Sequence, residues 1–133
     1  MQQLCANFGT DMRSTEAILM ARFVDRAHLP LDPRTVRAIA YSIYEIDPFR
    51  RGVRRLVADH DEVALDIGQV IYDSLRTDAI WVVDQIGYNF CHRIQFSNFP
   101  DSLPGPGKHY EARYWVTLTT GDTTVVCFRL RVN

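Results

Sequence analysis

The sequence predicts an α+β domain. About four N-terminal helices, over roughly 11–76, pack on a C-terminal antiparallel sheet of three to four strands, over 79–132, that ends in a hairpin. Three observations lead there. Asp32-Pro33 and Asp47-Pro48 each carry a helix start signal, an Asp cap followed by Pro at the first helical position. Apolar residues after the first pair recur at helical spacing. From Ile80 onward the apolar period becomes two, the period of a strand. With 133 residues, the chain reads as a single domain with enough material for a real core.

A first helix is expected from about Asp11 or Ser14 to Ala27, with Met20, Phe23, Val24 and Ala27 inward and His28-Leu29-Pro30 ending it. The second follows Asp32-Pro33, where Val36, Ile39, Ala40, Ile43 and Tyr44 keep the i, i+3, i+4, i+7, i+8 spacing. Asp47-Pro48 opens a shorter third helix with Phe49, Val53, Leu56 and Val57 inward. Asp59 or Asp61 caps a fourth, to about Leu75, with a stripe of Val63, Ile67, Val70, Ile71 and Ser74. Strands are expected at Ile80 to Ile86 and through Tyr88, Phe90, Ile94 and Phe96. Ser97 to His109, rich in Pro and Gly, reads as a loop of unusual length.

The closing hairpin is the most specific reading. Tyr110, Ala112, Tyr114, Val116 and Leu118 share parity with Val126, Phe128, Leu130 and Val132, so both strands present one apolar face. A type I turn at Thr119-Thr120 with Gly121 in a G1 bulge sets Leu118 opposite Asp122. Tyr114 then faces Val126, Ala112 faces Phe128, Glu111 lies across from Arg129, and Trp115 from Val125. A turn one residue shorter would throw the apolar set onto opposite faces.

Charge is balanced at −1, so no general attraction to nucleic acid or anionic membrane is implied. Fourteen of the 15 basic residues are arginine, which reads as codon usage of a GC-rich bacterial genome. Cys5, Cys91 and Cys127 form no C-x-x-C pair, which suits a reducing compartment. No leader and no stretch of about 18 apolar residues is recognised, and the expectation is a soluble, cytoplasmic protein.

No catalytic or cofactor motif emerges. Asp59-His60-Asp61-Glu62 has the residue types of a metal site, but consecutive positions point apart and acidic residues are expected at a helix start, so no metal is assigned. Arg50, Arg51, Arg54 and Arg55 form a cationic patch that reads as a solvated face neutralised by nearby acids. His92 faces the apolar side of its strand, where a hydrogen-bonded structural histidine is the ordinary case.

The favoured reading is a non-catalytic protein-interaction or assembly domain without a cofactor, binding a protein partner or itself. Its contact residues would be Trp115, Val125, Arg93 and Arg131 on the outer sheet face, a face for which cover by the chain's own helices is the ordinary expectation and a partner surface the sharper one. The alternative is a metal-independent ribonuclease. Helices followed by an antiparallel sheet carrying His92, Arg113, Tyr114 and Arg129 resemble, in outline, the barnase-like toxin nucleases. The resemblance implies His92 as acid/base, Arg113 or Arg129 as phosphate clamp and Tyr114 as a positioning group. A third expectation is a small-molecule pocket between the helices and the sheet, gated by the Ser97 to His109 loop.

Overall fold

The computed structural model describes residues 15–50, 52–78, 81–96, 105 and 107–132, and the backbone of 5–12. The expected α+β class is overturned: the described chain is nearly all β, in two antiparallel sheets packed face to face. One sheet has the order β1-β2-β7-β6, built from β1 (Cys5–Met12), β2 (Glu16–Phe23), β6 (Ile71–Arg76) and β7 (Tyr88–Gln95). The other runs β4-β3-β8-β9, from β3 (Val36–Ile46), β4 (Arg54–Leu56), β8 (His109–Leu118) and β9 (Thr123–Arg131), with β5 (Val63–Ala64) also on β3. Among the described residues the only α-helix is the single turn α1 (Ile67–Val70).

Each expected helix fails for its own physical reason. The first segment contains β2, whose inner face is Ala17, Leu19, Ala21 and Phe23. Met20 lies on the other face, packed with Trp81 and beside its cross-strand neighbour Cys91. With apolar cover on both sides, the run Ala17–Val24 loses the alternation that identifies a strand. The end signal at His28-Leu29-Pro30 is real. The Asp25 carboxylate accepts from the N–H groups of Ala27 and Leu29, and His28 takes φ +62° in a tight turn.

The second segment is misread through a β-bulge. The register between β3 and β8 slips between Val36 and Ala38, which turns Val36 inward together with Ile39, Tyr41 and Ile43. A slip of one residue converts a period-two strand into a sequence with i, i+3 and i+7 positions buried, and so imitates a helix. Asp32 does cap, but only the 3-10 turn Pro33–Thr35. Asp47 likewise accepts from the Phe49 N–H and starts a turn, leaving Phe49 94% exposed rather than inward. The fourth expected helix divides into β5, α1 (capped by Asp66) and β6.

In the C-terminal half, Ile80 lies outside the described residues and Trp81–Gly87 is not a strand but a loop covering the outer face of the first sheet. Its organiser is Asp84, which accepts from Trp81 Nε1, the Ile86 and Gly87 N–H groups and Arg22. The strand expected next is β7. Most of the Ser97 to His109 loop lies outside the described residues.

The hairpin is as the parity requires. Tyr114 pairs with Val126, Ala112 with Phe128, Glu111 with Arg129 and Trp115 with Val125. Gly121 has φ +96° and donates to the Leu118 carbonyl, while Leu118 donates to Asp122. Its inner face closes the core against the first sheet: the Phe90 ring lies 4.6 Å from Phe23, 5.1 Å from Tyr114 and 6.0 Å from Phe128, centroid to centroid.

Candidate binding face

Two sets of polar side chains stand out, one sealed between the sheets and one spread over an outer face. The inner set is two histidine–tyrosine pairs. His92 Nδ1 lies 2.7 Å from the Tyr114 hydroxyl and His60 Nδ1 lies 2.8 Å from that of Tyr41. Tyr41 also meets the His92 ring edge-on at 4.7 Å. Burial disfavours the charged form of every member. It pushes His92 down to about 4, helped by the neighbouring His60, and lowers His60 too, against the pull of Asp59. Tyr41 rises to about 12 and Tyr114 rises as well, both chiefly by desolvation. These are neutral rings at neutral pH, joined by hydrogen bonds that satisfy polar atoms inside an apolar core.

This placement bears on each residue singled out from the sequence. His92 and Tyr114 come together, facing inward. Arg113 and Arg129 sit on β8 and β9 with the opposite parity, on the outer face of the five-stranded sheet. The four do not converge on one surface. His60 turns inward to Tyr41 while Asp59, Asp61 and Glu62 remain exposed. Arg93 is exposed on β7, on the outer face of the first sheet, away from Trp115, Val125 and Arg131. Those three do share one surface.

That surface is a grid of cross-strand rows. Ala38, Thr117 and Thr123 form the first, and Ala40, Trp115 and Val125 the second. Ser42, Arg113 and Cys127 follow, then Tyr44, Glu111 and Arg129, then Ile46, His109 and Arg131. Side chains opposite one another on a sheet touch, so each row is a physical unit. The second row is apolar, with Val125 46% exposed. Ser42 is covered by the neighbouring loop, its hydroxyl accepting from the Glu62 N–H.

The arginine end of the grid is braced. Glu111 is buried and accepts from Arg113 at 2.8 Å and from Arg54 of β4 at 3.4 Å. Both guanidiniums also lie over the Tyr44 ring, at 5.6 and 5.5 Å. Arg113 Nε is buried without a hydrogen-bond partner among the described residues. The turn at 47–50 lies beside these side chains, and its Asp47 and Pro48 line two recesses. One, of about 570 Å³, is lined by Arg50, Arg54, Glu111, Arg113 and Arg129. The other, of about 860 Å³, is lined by Pro48, Phe49, Val53 and the Glu45 side chain, which Lys108 and Arg55 hold at 3.1 and 2.6 Å.

The sequence offered a partial signal for this arrangement. The arginine run at 50–55 was visible, but on a helix it reads as one solvated stripe. On β4, alternation sends Arg54 to Glu111 and Arg55 to Glu45, on different partners. Tyr44 and Glu111 as the braces of the cluster are tertiary facts with no local signature. No protein-family model matches the chain, and no curated protein or solved structure matches it.

Proposed function

We propose that this chain is a non-catalytic interaction module that engages a protein partner through the outer face of its five-stranded sheet. One observation carries the reading: the apolar row Ala40, Trp115 and Val125 lies on that face beside the arginine rows, with Val125 left half-open to solvent. An apolar strip with threonines along one edge and arginine along the other has the composition of a contact surface, where Trp and Arg are enriched. The inner histidines and tyrosines support the same reading from the other side. They are buried, neutral and bonded to each other, which is the state of structural groups.

The test is a comparison of wild type with Val125→Glu. Light scattering reads self-association, and affinity capture followed by quantitative mass spectrometry reads other partners. The expected result is a complex, of either kind, that the variant loses while its thermal midpoint stays within the error of wild type. A strict monomer at high concentration, combined with a capture profile identical for the two proteins, removes the reading.

A further inference from the structure

Building on that reading, we infer that the arginine-lined recess beside the turn 47–50 receives an acidic segment of the partner, with Asp or Glu side chains spaced by an apolar residue. The recess carries four guanidiniums, from Arg50, Arg54, Arg113 and Arg129, against two resident carboxylates, Asp47 and Glu111. The whole chain has a net charge of −1, so the positive excess is local to this site.

The resident acids leave donors to spare. Glu111 fixes Arg113 and Arg54 on one side only, and Asp47 stands 3.9 Å from Arg50. Arg129 has no ion-pair partner among the described residues, although Glu111 lies directly opposite it on β8. Guanidiniums already held by Glu111 and the Tyr44 ring lose little freedom when a further carboxylate arrives, which is the condition for a useful fork-on-carboxylate contact.

Two features favour carboxylates on a chain over a compact phosphate. Asp47 and Glu111 line the recess itself, so a dianion concentrated at one point meets two like charges there. Single charges distributed along an extended segment can meet Arg129, Arg113 and Arg50 one at a time. The second feature lies on the far side of the same turn. Phe49 is 94% exposed and Val53 51% exposed, and they flank the adjoining apolar recess. A segment crossing the turn reaches both recesses, which calls for an apolar side chain beside its acids.

The experiment uses the full chain and a fluorescein-labelled peptide alternating Glu and Leu, read by anisotropy at low salt. The expected outcome is saturable binding that weakens as salt rises, falls by roughly tenfold or more in Arg129→Ala, and is unaltered in Arg26→Ala, an exposed arginine on the distant β2–β3 turn. Loss of binding in Phe49→Ser would place the apolar residue. Equal affinity for a Gln-Leu peptide overturns the acidic specificity, and unchanged affinity in Arg129→Ala overturns the site. Tighter binding of a phosphoserine peptide or of inorganic phosphate reassigns the recess to phosphate and overturns the inference. The two proposals fail separately. Peptide binding can be absent while Val125→Glu still removes a complex, or present while Val125→Glu changes nothing.

Discussion

Tyr114 is wholly buried, and its hydroxyl meets one named group, the His92 imidazole. The consequence is a pH dependence with a definite sign. In the unfolded chain His92 has an ordinary pKa of 6.5, and in the folded protein about 4. Between those values the unfolded state binds a proton that the folded state refuses, so stability is complete above about 6.5 and is lost as pH falls toward 4. The shift corresponds to about 2 kcal/mol lost between pH 7 and pH 5, and the lowered His60 adds in the same direction. Urea unfolding at the two pH values, compared with His92→Leu, isolates the effect, because the variant should show the shallower slope. The imidazole carbon-bound protons of His92 should hold their chemical shifts from pH 7 to pH 5. Titration near 6.5 in the folded protein would contradict this account of the core.

At the scale of elements, two glycines with positive φ do different work. Gly121, at φ +96°, closes the hairpin in open space, with no atom within 4 Å of where a Cβ would sit. Gly121→Ala therefore meets only the backbone penalty, about 1 kcal/mol. Gly87, at φ +109°, leads into β7, and a Cβ there would stand 2.6 Å from the Arg76 carbonyl oxygen and 3.1 Å from its carbon. Because both are backbone atoms of β6, the strand itself must move. Gly87→Ala should cost about 3 kcal/mol or more, and the order of the two thermal midpoints tests the distinction. Should Gly121→Ala prove the more damaging, the account of the β6–β7 junction is wrong.

At the scale of the molecule, the two sheets share a core whose centre is Phe90, stacked on Phe23 from its own sheet and against Tyr114 and Phe128 from the other. Neither sheet can bury its inner face alone, so unfolding should be one cooperative event. The tryptophans offer a direct check, since Trp81 covers the outer face of the first sheet and Trp115 lies on that of the second. Single-tryptophan variants should give coincident urea transitions. Phe90→Ala should lower both together by about 3–5 kcal/mol. Separate midpoints would mean that the sheets are held less tightly than their ring contacts imply.

The hairpin from Tyr110 to Val132 was determined by its own sequence. One apolar face, one glycine able to take positive φ and one permitted register are local conditions, and every predicted pair forms. The arginine run at 50–55 and the inward parity of His92 were legible in the same way. Helix or strand over residues 16–76 was not a local question. Asp32-Pro33, Asp47-Pro48 and Asp66 are real caps, yet a cap specifies only that a turn begins, and here packing ends each within a few residues. In β2 both faces are covered, which erases alternation, and in β3 a bulge shifts the phase so that Val36 and Ile39 face the same way. Both effects come from parts distant in sequence, the Trp81–Gly87 loop and the opposing sheet over β2 and the strand β8 beside β3, whose contacts no local window contains. The gathering of Arg54, Arg113 and Arg129 around Glu111 and Tyr44 has the same origin. Side chains from four strands meet only after the sheet has formed, so that recess belongs to the tertiary structure alone.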